Sequence, residues 1–187
     1  MANTSQRARR ALAYEDYLQF PDDGNRHELL EGEHTMTPAP SPYHQYAVGR
    51  LFLRFGTQVK EGVAFGSPVD VILAPSTIAQ PDLCYVGPAK RDLITRRGVE
   101  GPPDIVVEIL SPRTAKTDLG AKHKLYASHG VSEYWIVDLE AAAVRMCRLE
   151  GGAYPLQRDR VLLRGERLTT PLAQGLDVAA EELFWAS

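Results

Sequence analysis

The chain has 187 residues, of which 44% are hydrophobic, and this is enough for one domain with a core of its own. A formal net charge of -3 excludes a protein that is basic over its whole surface, so nucleic-acid binding would require a local basic patch. No apolar run approaches the roughly 18 residues of a membrane span, and no apolar stretch follows the charged N-terminus, so we expect a cytoplasmic protein.

The N-terminal third predicts a flexible start followed by helices. Residues 1–11 are polar and Arg-rich, and we expect them to be flexible and to precede a single domain over residues 12–187. ALAYEDYLQF predicts a short helix, and HELLEGEHTMTPAP predicts a helix end or turn that leads into a strand near residues 32–37. SPYHQYAVGRLFLRFGTQV predicts a long helix, with Ser41 as its cap and Pro42 in its first turn.

Strand patterns dominate the rest of the chain. VAFGSPVDVIL, PDLCYVG and PDIVVEILS predict strands, TAKTDLGAKHKLYASHG predicts a helix ended by Gly130, and EYWIVDLE and AAVRMCR predict further strands. This order indicates an α/β fold with a mixed central sheet flanked by helices.

A carboxylate interrupts the apolar run of PDIVVEILSPRT. The run is typical of a strand covered on both faces, and Glu108 lies near its middle, on the same face as Val106 and Leu110. A buried carboxylate is unfavourable unless a cation pairs with it. We therefore expect a basic partner for Glu108.

The helix that follows offers that partner. On a wheel of about 100° per residue with Leu119 at zero, Lys122 falls at about -60°, inside the apolar arc, while Lys124 points to roughly the opposite side. Lys122 is therefore expected to face the sheet and pair with Glu108. A purely structural buried ion pair is one reading of this arrangement.

A second acid favours a chemical reading. Asp82 begins the preceding strand, in QPDLCYV, and would lie beside Glu108 if the two strands are neighbours. One Asp and one Glu suit Mg²⁺, which binds through one or two carboxylates and substrate phosphate, and a nearby lysine can stabilise charge that develops on that phosphate. The set suits hydrolysis of a phosphodiester.

The same residues resemble a known family. QPD with Asp82, VVEILSPRT with Glu108, DLGAKHKLY with Lys122 and the following GVSEYWIVD are similar to the Uma-two family, bacterial restriction-endonuclease-like proteins of the PD-(D/E)XK nuclease superfamily. HELLEGE and SPYHQYAVGRL resemble that family's amino-terminal half. The resemblance begins at about residue 12 and covers the rest of the chain.

The resemblance implies a restriction-endonuclease-like core with Asp82 and Glu108 as metal ligands. The superfamily lysine usually lies two residues after the second acid, where this chain has Leu110, and the resemblance implies that Lys122 takes its place. Glu28, in HELLEGE, matches an additional acid that many members hold beside the site. The resemblance also favours a homodimer, as in enzymes that pair two sites across a duplex.

The leading hypothesis is a Mg²⁺-dependent endonuclease acting on DNA, with Mn²⁺ as a substitute for Mg²⁺. The first alternative is an inactive nucleic-acid-binding or assembly module with the same fold, favoured by the mild acidity and the displaced lysine. The second is another phosphoester substrate at the same acids. Local basic residues that could contact a nucleic-acid backbone are Lys90, Arg91, Arg96, Arg97, Arg113 and Lys116.

Three histidines and one further acid complete the candidates. His27, His34 and His44 could gather around a metal, but their spacing matches no recognised zinc pattern. Asp70 is an additional acid that could lie near the site.

Overall fold

Two six-stranded sheets form the framework of the computed structural model, which describes residues 10–37 and 39–185. The strands are β1 (Arg26–Leu30), β2 (Glu33–Thr37), β3 (Val63–Gly66), β4 (Val71–Ala74), β5 (Thr77–Ala79), β6 (Leu83–Val86), β7 (Ile94–Thr95), β8 (Gly98–Glu100), β9 (Ile105–Ile109), β10 (Glu133–Asp138), β11 (Ala143–Arg148), β12 (Arg160–Leu162), β13 (Arg167–Leu168) and β14 (Val178–Ala179). The α-helices are α1 (Tyr14–Tyr17), α2 (Pro42–Gln58), α3 (Ala115–Thr117) and α4 (His123–Ser128). A π-helical turn covers Asp118–Lys122, and 3₁₀ helices cover Pro88–Leu93, Leu156–Arg158 and Ala180–Leu183.

Both large sheets are mixed, which agrees with the predicted fold class. The first has the order β2-β1-β5-β4-β8-β7 and the second β12-β11-β10-β9-β6-β3, while β13 and β14 pair separately. We expected one central sheet, and the presence of a separate sheet, the first, built from strands between residues 26 and 100, was not predicted. Of the segment predicted to be flexible, residues 1–9 lie outside the described residues. Within the described ranges, no helix is both long and apolar enough to cross a membrane.

Strand β9 lies inside the second sheet and carries Glu108. It pairs in parallel with β10, where Ile136 is opposite Glu108, and antiparallel with β6, where Leu83 is opposite Val107. Val107 packs into the core beneath α2, and Val106, on the other face, packs into the core beneath α4. The strand is therefore covered on both faces, as its apolar run predicted, and the Asp82 and Glu108 strands are neighbours.

The HELLEGEHTMT segment is a β-hairpin: the predicted turn and the strand near residues 32–37 are present, whereas HELL itself belongs to strand β1 and is not a helix end. Glu31 and Gly32 form the two-residue turn with φ of 53° and 83°, and Leu30 pairs with Glu33 across it. A two-residue turn with both central φ positive matches the twist of a hairpin. Pairing of β1 with β2 and with β5, rather than the helical propensity of HELL, places Glu28 on a strand.

Helix α2 follows the sequence prediction closely. The Ser41 side chain accepts a hydrogen bond from the His44 backbone N–H at 3.3 Å, and Pro42 occupies the first turn. Ala47, Leu51 and Phe55 form the buried face, at the spacing expected of an amphipathic helix. The same cap directs the His44 side chain, which is buried, toward the site.

The second predicted helix is interrupted by the π-helical turn. Leu119, which served as the reference of the helical wheel, is 48% exposed, so that part of the prediction was wrong. The wider turn changes the phase of the helix between α3 and α4. Lys122 is nevertheless only 4% exposed and Lys124 is exposed, as predicted. Gly130 follows the helix with φ of 87°.

Candidate active site

Lys122 joins two acids from different sheets. Its Nζ lies 2.9 Å from Glu108 Oε1 on β9 and 2.9 Å from Glu28 Oε1 on β1. All three side chains are buried. The ion pair that the sequence predicted between Lys122 and Glu108 is present, and Glu28 adds a second carboxylate to it.

The helix supplies two more groups around Glu108. Asp118 Oδ1 lies 3.9 Å from Lys122 Nζ, at the other end of the π-helical turn, and the Tyr126 hydroxyl donates to Glu108 Oε1 at 3.0 Å. Both hydrogen bonds that Glu108 accepts from described side chains end on Oε1, which leaves Oε2 available. The Tyr126 ring is fully buried in the core, and its hydroxyl also orients the acid.

Asp82 is held by a different set of partners. Arg26 Nη1 donates to Asp82 Oδ1 at 2.6 Å, while the Ile109 backbone N–H donates to Oδ2 at 2.8 Å. His44 Nε2 also lies 3.0 Å from Oδ2. Asp82 and Lys122 therefore both contact strand β9, Asp82 at the Ile109 backbone and Lys122 at Glu108. No ion pair joins Asp82 to Lys122 among the described residues.

Arg26, His44 and Asp118 were not predicted as site residues, but each has a signal in the sequence. Arg26 lies two residues before Glu28, so a strand reading of HELL would have placed both on one face. Asp118 precedes Lys122 by four residues, a spacing that brings helical side chains together. His44 had been considered only for a zinc cluster.

The other candidates, except His44 and Arg113, lie apart from this cluster. His27 Nδ1 is 2.9 Å from His34 Nε2, while His44 contacts Asp82 instead. Asp70 accepts hydrogen bonds from Tyr17 and Gln80. Lys90 pairs with Asp104 and Arg97 with Glu100. Of the basic residues named from the sequence, Arg113 alone lines the site cavity.

Acidic side chains outnumber basic side chains in the site. Three buried acids, Glu28, Glu108 and Asp118, pair with Lys122, and a fourth, Asp82, contacts Arg26 and His44. A cluster of this kind perturbs the pKa of its members and is a common mark of a functional site.

The pKa values respond to burial and to these charges. Burial raises the pKa of Glu108 to about 8, against the opposing charge of Lys122 and with help from the neighbouring carboxylates. Burial disfavours the charged form of Lys122, but Glu108, Glu28 and Asp118 outweigh it and raise the lysine's pKa. For Asp82, the hydrogen bond and charge of His44 and the charge of Arg26 overcome burial and lower the pKa.

A cavity of about 680 Å³ opens onto the acids. Asp82, Glu108, Asp118 and Lys122 line it, together with Arg26 and His44, whereas Glu28 is not among its lining residues. Glu28 therefore lies behind Lys122, where its Oε1 also accepts the Gln80 backbone N–H at 2.8 Å. The volume is in the range of sites for small molecules or for part of a polymer.

The donor set suits a hard divalent cation. No group of three or more His, Cys, Asp or Glu side chains in the described ranges is arranged to hold a metal ion. Mg²⁺, however, commonly binds through one or two carboxylates and keeps several waters. Asp82 and Glu108 line the same cavity and offer two such carboxylates, with Arg26 lying on one oxygen of Asp82.

A family model described as "Uma2: Putative restriction endonuclease" matches residues 14–181. The chain belongs to the Uma2 family. This agrees with the resemblance to the Uma-two family seen in the sequence motifs, and it supports nuclease-like chemistry. A search of curated proteins found no match.

The Uma2 chain shares its fold with a solved crystal structure. The match is a crystal structure described as a "putative nuclease belonging to DUF820" from Anabaena variabilis, with a TM-score of 0.76 and 20% sequence identity. The alignment covers 92% of this chain and 97% of the other. The two therefore share their architecture over nearly their full lengths.

Proposed function

We propose that the protein is a Mg²⁺-dependent endonuclease that hydrolyses phosphodiester bonds in DNA, with Mn²⁺ able to replace Mg²⁺. One observation carries the proposal: Asp82, Glu108 and Lys122, from three different elements, line a single cavity. A structural ion pair explains Lys122 and Glu108, but it does not explain a second buried acid on the neighbouring strand facing the same space. Membership of the Uma2 family supports the same chemistry.

Asp82 and Glu108 would hold the cation. Glu108 Oε2 is available, and an Asp82 oxygen becomes available if Arg26 turns away from it. When bound, the cation would supply a water of lowered pKa and neutralise charge on the phosphate. The excess of carboxylates over basic groups favours a divalent cation over an anion at this place.

Lys122 would stabilise charge rather than remove a proton. Its raised pKa keeps the ammonium charged, so it cannot act as a general base near neutral pH. Glu28 and Glu108 fix its position at 2.9 Å each. A charge fixed in advance in a buried site stabilises a developing phosphate charge more than a mobile surface lysine would.

Cleavage of supercoiled plasmid and of single-stranded DNA, with Mg²⁺, Mn²⁺ or EDTA, tests the proposal. We expect metal-dependent cleavage by the wild type, and a loss of at least about a hundredfold in Asp82→Asn and Lys122→Ala. Lys124→Ala is the matched control, since Lys124 lies on the same helix and is exposed. Equal rates in the wild type and both site variants would refute the assignment.

The second candidate function is a DNA-binding module without catalysis. The hydrogen bonds from Arg26 and the contact from His44 favour it, because they already compensate the charge of Asp82 without a metal. Calorimetry separates the two functions. Salt-dependent DNA binding with no detectable Mg²⁺ binding would favour the module, and Mg²⁺ binding lost in Glu108→Gln would favour the enzyme.

The proposal includes a cytoplasmic, bacterial protein that works as a homodimer. Two copies related by a two-fold axis could present two sites to opposite strands of a duplex. Light scattering on the purified protein measures the oligomeric state directly: a dimer supports this part of the proposal, and a monomer at working concentration removes it.

A further inference from the structure

Two aromatic side chains are exposed where the cavity opens. Tyr43 is 59% exposed and Trp185 is 55% exposed, and both line the cavity that contains Asp82 and Glu108. We call this pair the aromatic rim. Their ring centroids lie 6.2 Å apart at 70°, and Tyr46 supports Trp185 at 4.9 Å. Large aromatic residues usually bury most of their surface, so two exposed together beside a buried charge cluster indicate a binding surface.

Two exposed arginines line the cavity beside the rim. Arg113 and Arg164 line the same cavity, and both are exposed. In the described part of the chain neither of them forms an ion pair. Other arginines do: Arg10, Arg50, Arg158 and Arg167 each pair with an acidic side chain. The Arg164 guanidinium lies 5.6 Å from the Phe184 ring centroid, and this contact holds it near Trp185.

We propose that the aromatic rim stacks on an unpaired base of single-stranded DNA, while Arg113 and Arg164 contact the phosphates on either side. The inference deepens the proposed nuclease function and rests on it for the identity of the polymer. Exposed aromatic rings beside cationic side chains form the usual platform for single strands, because every base has a face that can stack. An apolar protein partner would leave both arginines and the acids of the floor without complementary charge.

Base pairing opposes this contact. In a duplex the base faces are covered by neighbouring pairs, and exposing one requires unstacking at a cost of a few kcal/mol. The rim therefore predicts that single strands bind more tightly than blunt duplexes of the same length, with a difference of at least about tenfold in Kd.

Intrinsic fluorescence can report the contact. The chain has two tryptophans, and Trp135 is 0% exposed whereas Trp185 is 55% exposed. Stacking of a base on Trp185 should quench its emission. We would titrate the full chain with oligo(dT) and with blunt oligo(dA)·oligo(dT) in EDTA, so that no cleavage occurs. Saturable quenching by the single strand is the expected result, and Trp185→Phe should abolish it.

Variants separate stacking from general attraction. With labelled oligo(dT) followed by polarisation, Tyr43→Ala and Trp185→Ala should each weaken binding about tenfold. Leu156→Ala is the control, since Leu156 is 69% exposed and lies outside the cavity lining. Melting curves verify that each variant is folded. Unchanged affinity in both aromatic variants, or equal affinity of the wild type for duplex and single strand, would overturn the proposal.

The test of single-strand binding does not depend on whether the protein cleaves DNA. Binding is measured without metal, so tight single-strand binding with no cleavage in Mg²⁺ would remove the nuclease function and leave the rim in place. Cleavage with a preference for duplex binding would leave the nuclease and remove the rim.

Discussion

At the scale of single residues, the site depends on how buried charges are paired. Lys122 could be found from the sequence because an apolar helix face and an apolar strand each contained one charge that did not fit. Arg26 and His44 could not be found in this way, because they pair with Asp82 across elements whose contacts depend on the hairpin and on the cap of α2. A charge inside an apolar pattern can be recognised in a sequence. A charged partner outside such a pattern can be identified only once the elements are packed together.

Removing the charge of Lys122 should destabilise the protein strongly. Lys122→Met leaves Glu28 buried without its cation and removes the ammonium that donates to Glu108, and breaking a buried pair in this way costs about 3–5 kcal/mol. Urea unfolding measures the loss. Lys124→Met, on the exposed side of the same helix, should change the free energy of unfolding by less than about 0.5 kcal/mol. A similar small change in Lys122→Met would contradict the ion-pair geometry.

Glu108 should make the metal-free protein less stable as pH rises. Its pKa is raised from 4.5 to about 8 in the folded chain, so the native state holds a proton that the unfolded chain has released. The stabilising contribution is fully present below the unfolded pKa and is lost as pH rises through about 8. Urea unfolding in EDTA from pH 5 to 9 should show this decline, and Glu108→Gln should flatten it. Identical slopes in both proteins would contradict the prediction.

Arg26 should compete with a metal for Asp82. Arg26→Met frees Asp82 Oδ1, so Mg²⁺ measured by calorimetry without DNA should bind more tightly than to the wild type. The free energy of unfolding without metal should fall, since Asp82 then depends on His44 and the Ile109 backbone alone. Arg50→Met, whose guanidinium pairs with Glu182 away from the site, is the matched control. Weaker Mg²⁺ binding in Arg26→Met would contradict this role.

At the scale of elements, local sequence patterns predicted the structure well for strands that are buried on both faces and for a helix with a clear capping signal. The apolar runs gave β6, β9 and β10, and the Ser41–Pro42 signal gave the start of α2. The HELL segment was predicted as a helix end because its residues have helical propensity. In the structure it is a strand, because it pairs with β2 in a hairpin and with β5. The π-helical turn has no simple pattern, since it arises from packing of both its ends against one site.

The π-helical turn should be required for the position of Asp118. Deleting Gly120 would restore regular α-helical phase and rotate Asp118 by about 100° relative to Lys122. We expect a folded protein with at least about tenfold less cleavage and with Asp118 displaced in its crystal structure. Gly120→Ala is the control, because a Cβ there meets no atom within 4 Å and should leave activity unchanged. Full activity after the deletion would show that the turn is dispensable.

At the scale of the whole molecule, the site forms where the two large sheets meet. Glu28 comes from the first sheet, Glu108 from the second, and Lys122 from the helical segment that contacts both. The sequence predicted the α/β class, and local pattern predicted Asp82, Glu108 and Lys122 as site residues, with Glu28 added from the resemblance. It did not predict the division into two sheets, because strand order across a fold depends on long-range pairing that short windows do not contain.

The net charge of the chain is only -3, but the acidic side chains and the exposed arginines lie in different parts of the cavity. Carboxylates lie at the floor of the cavity, and exposed arginines and exposed aromatic rings lie at its opening. A phosphodiester chain fits this arrangement when a divalent cation occupies the floor, since the acids alone would repel it. That a single domain extends over residues 12–187 remains a prediction.

The most direct measurement is a crystal structure with Mn²⁺, using the anomalous scattering of the metal to locate it. The account predicts a peak in the cavity whose ligands include carboxylate oxygens of both Asp82 and Glu108, and loss of that peak in Glu108→Gln. A manganese ion that contacts neither carboxylate, or no peak in the cavity at saturating Mn²⁺, would contradict the account.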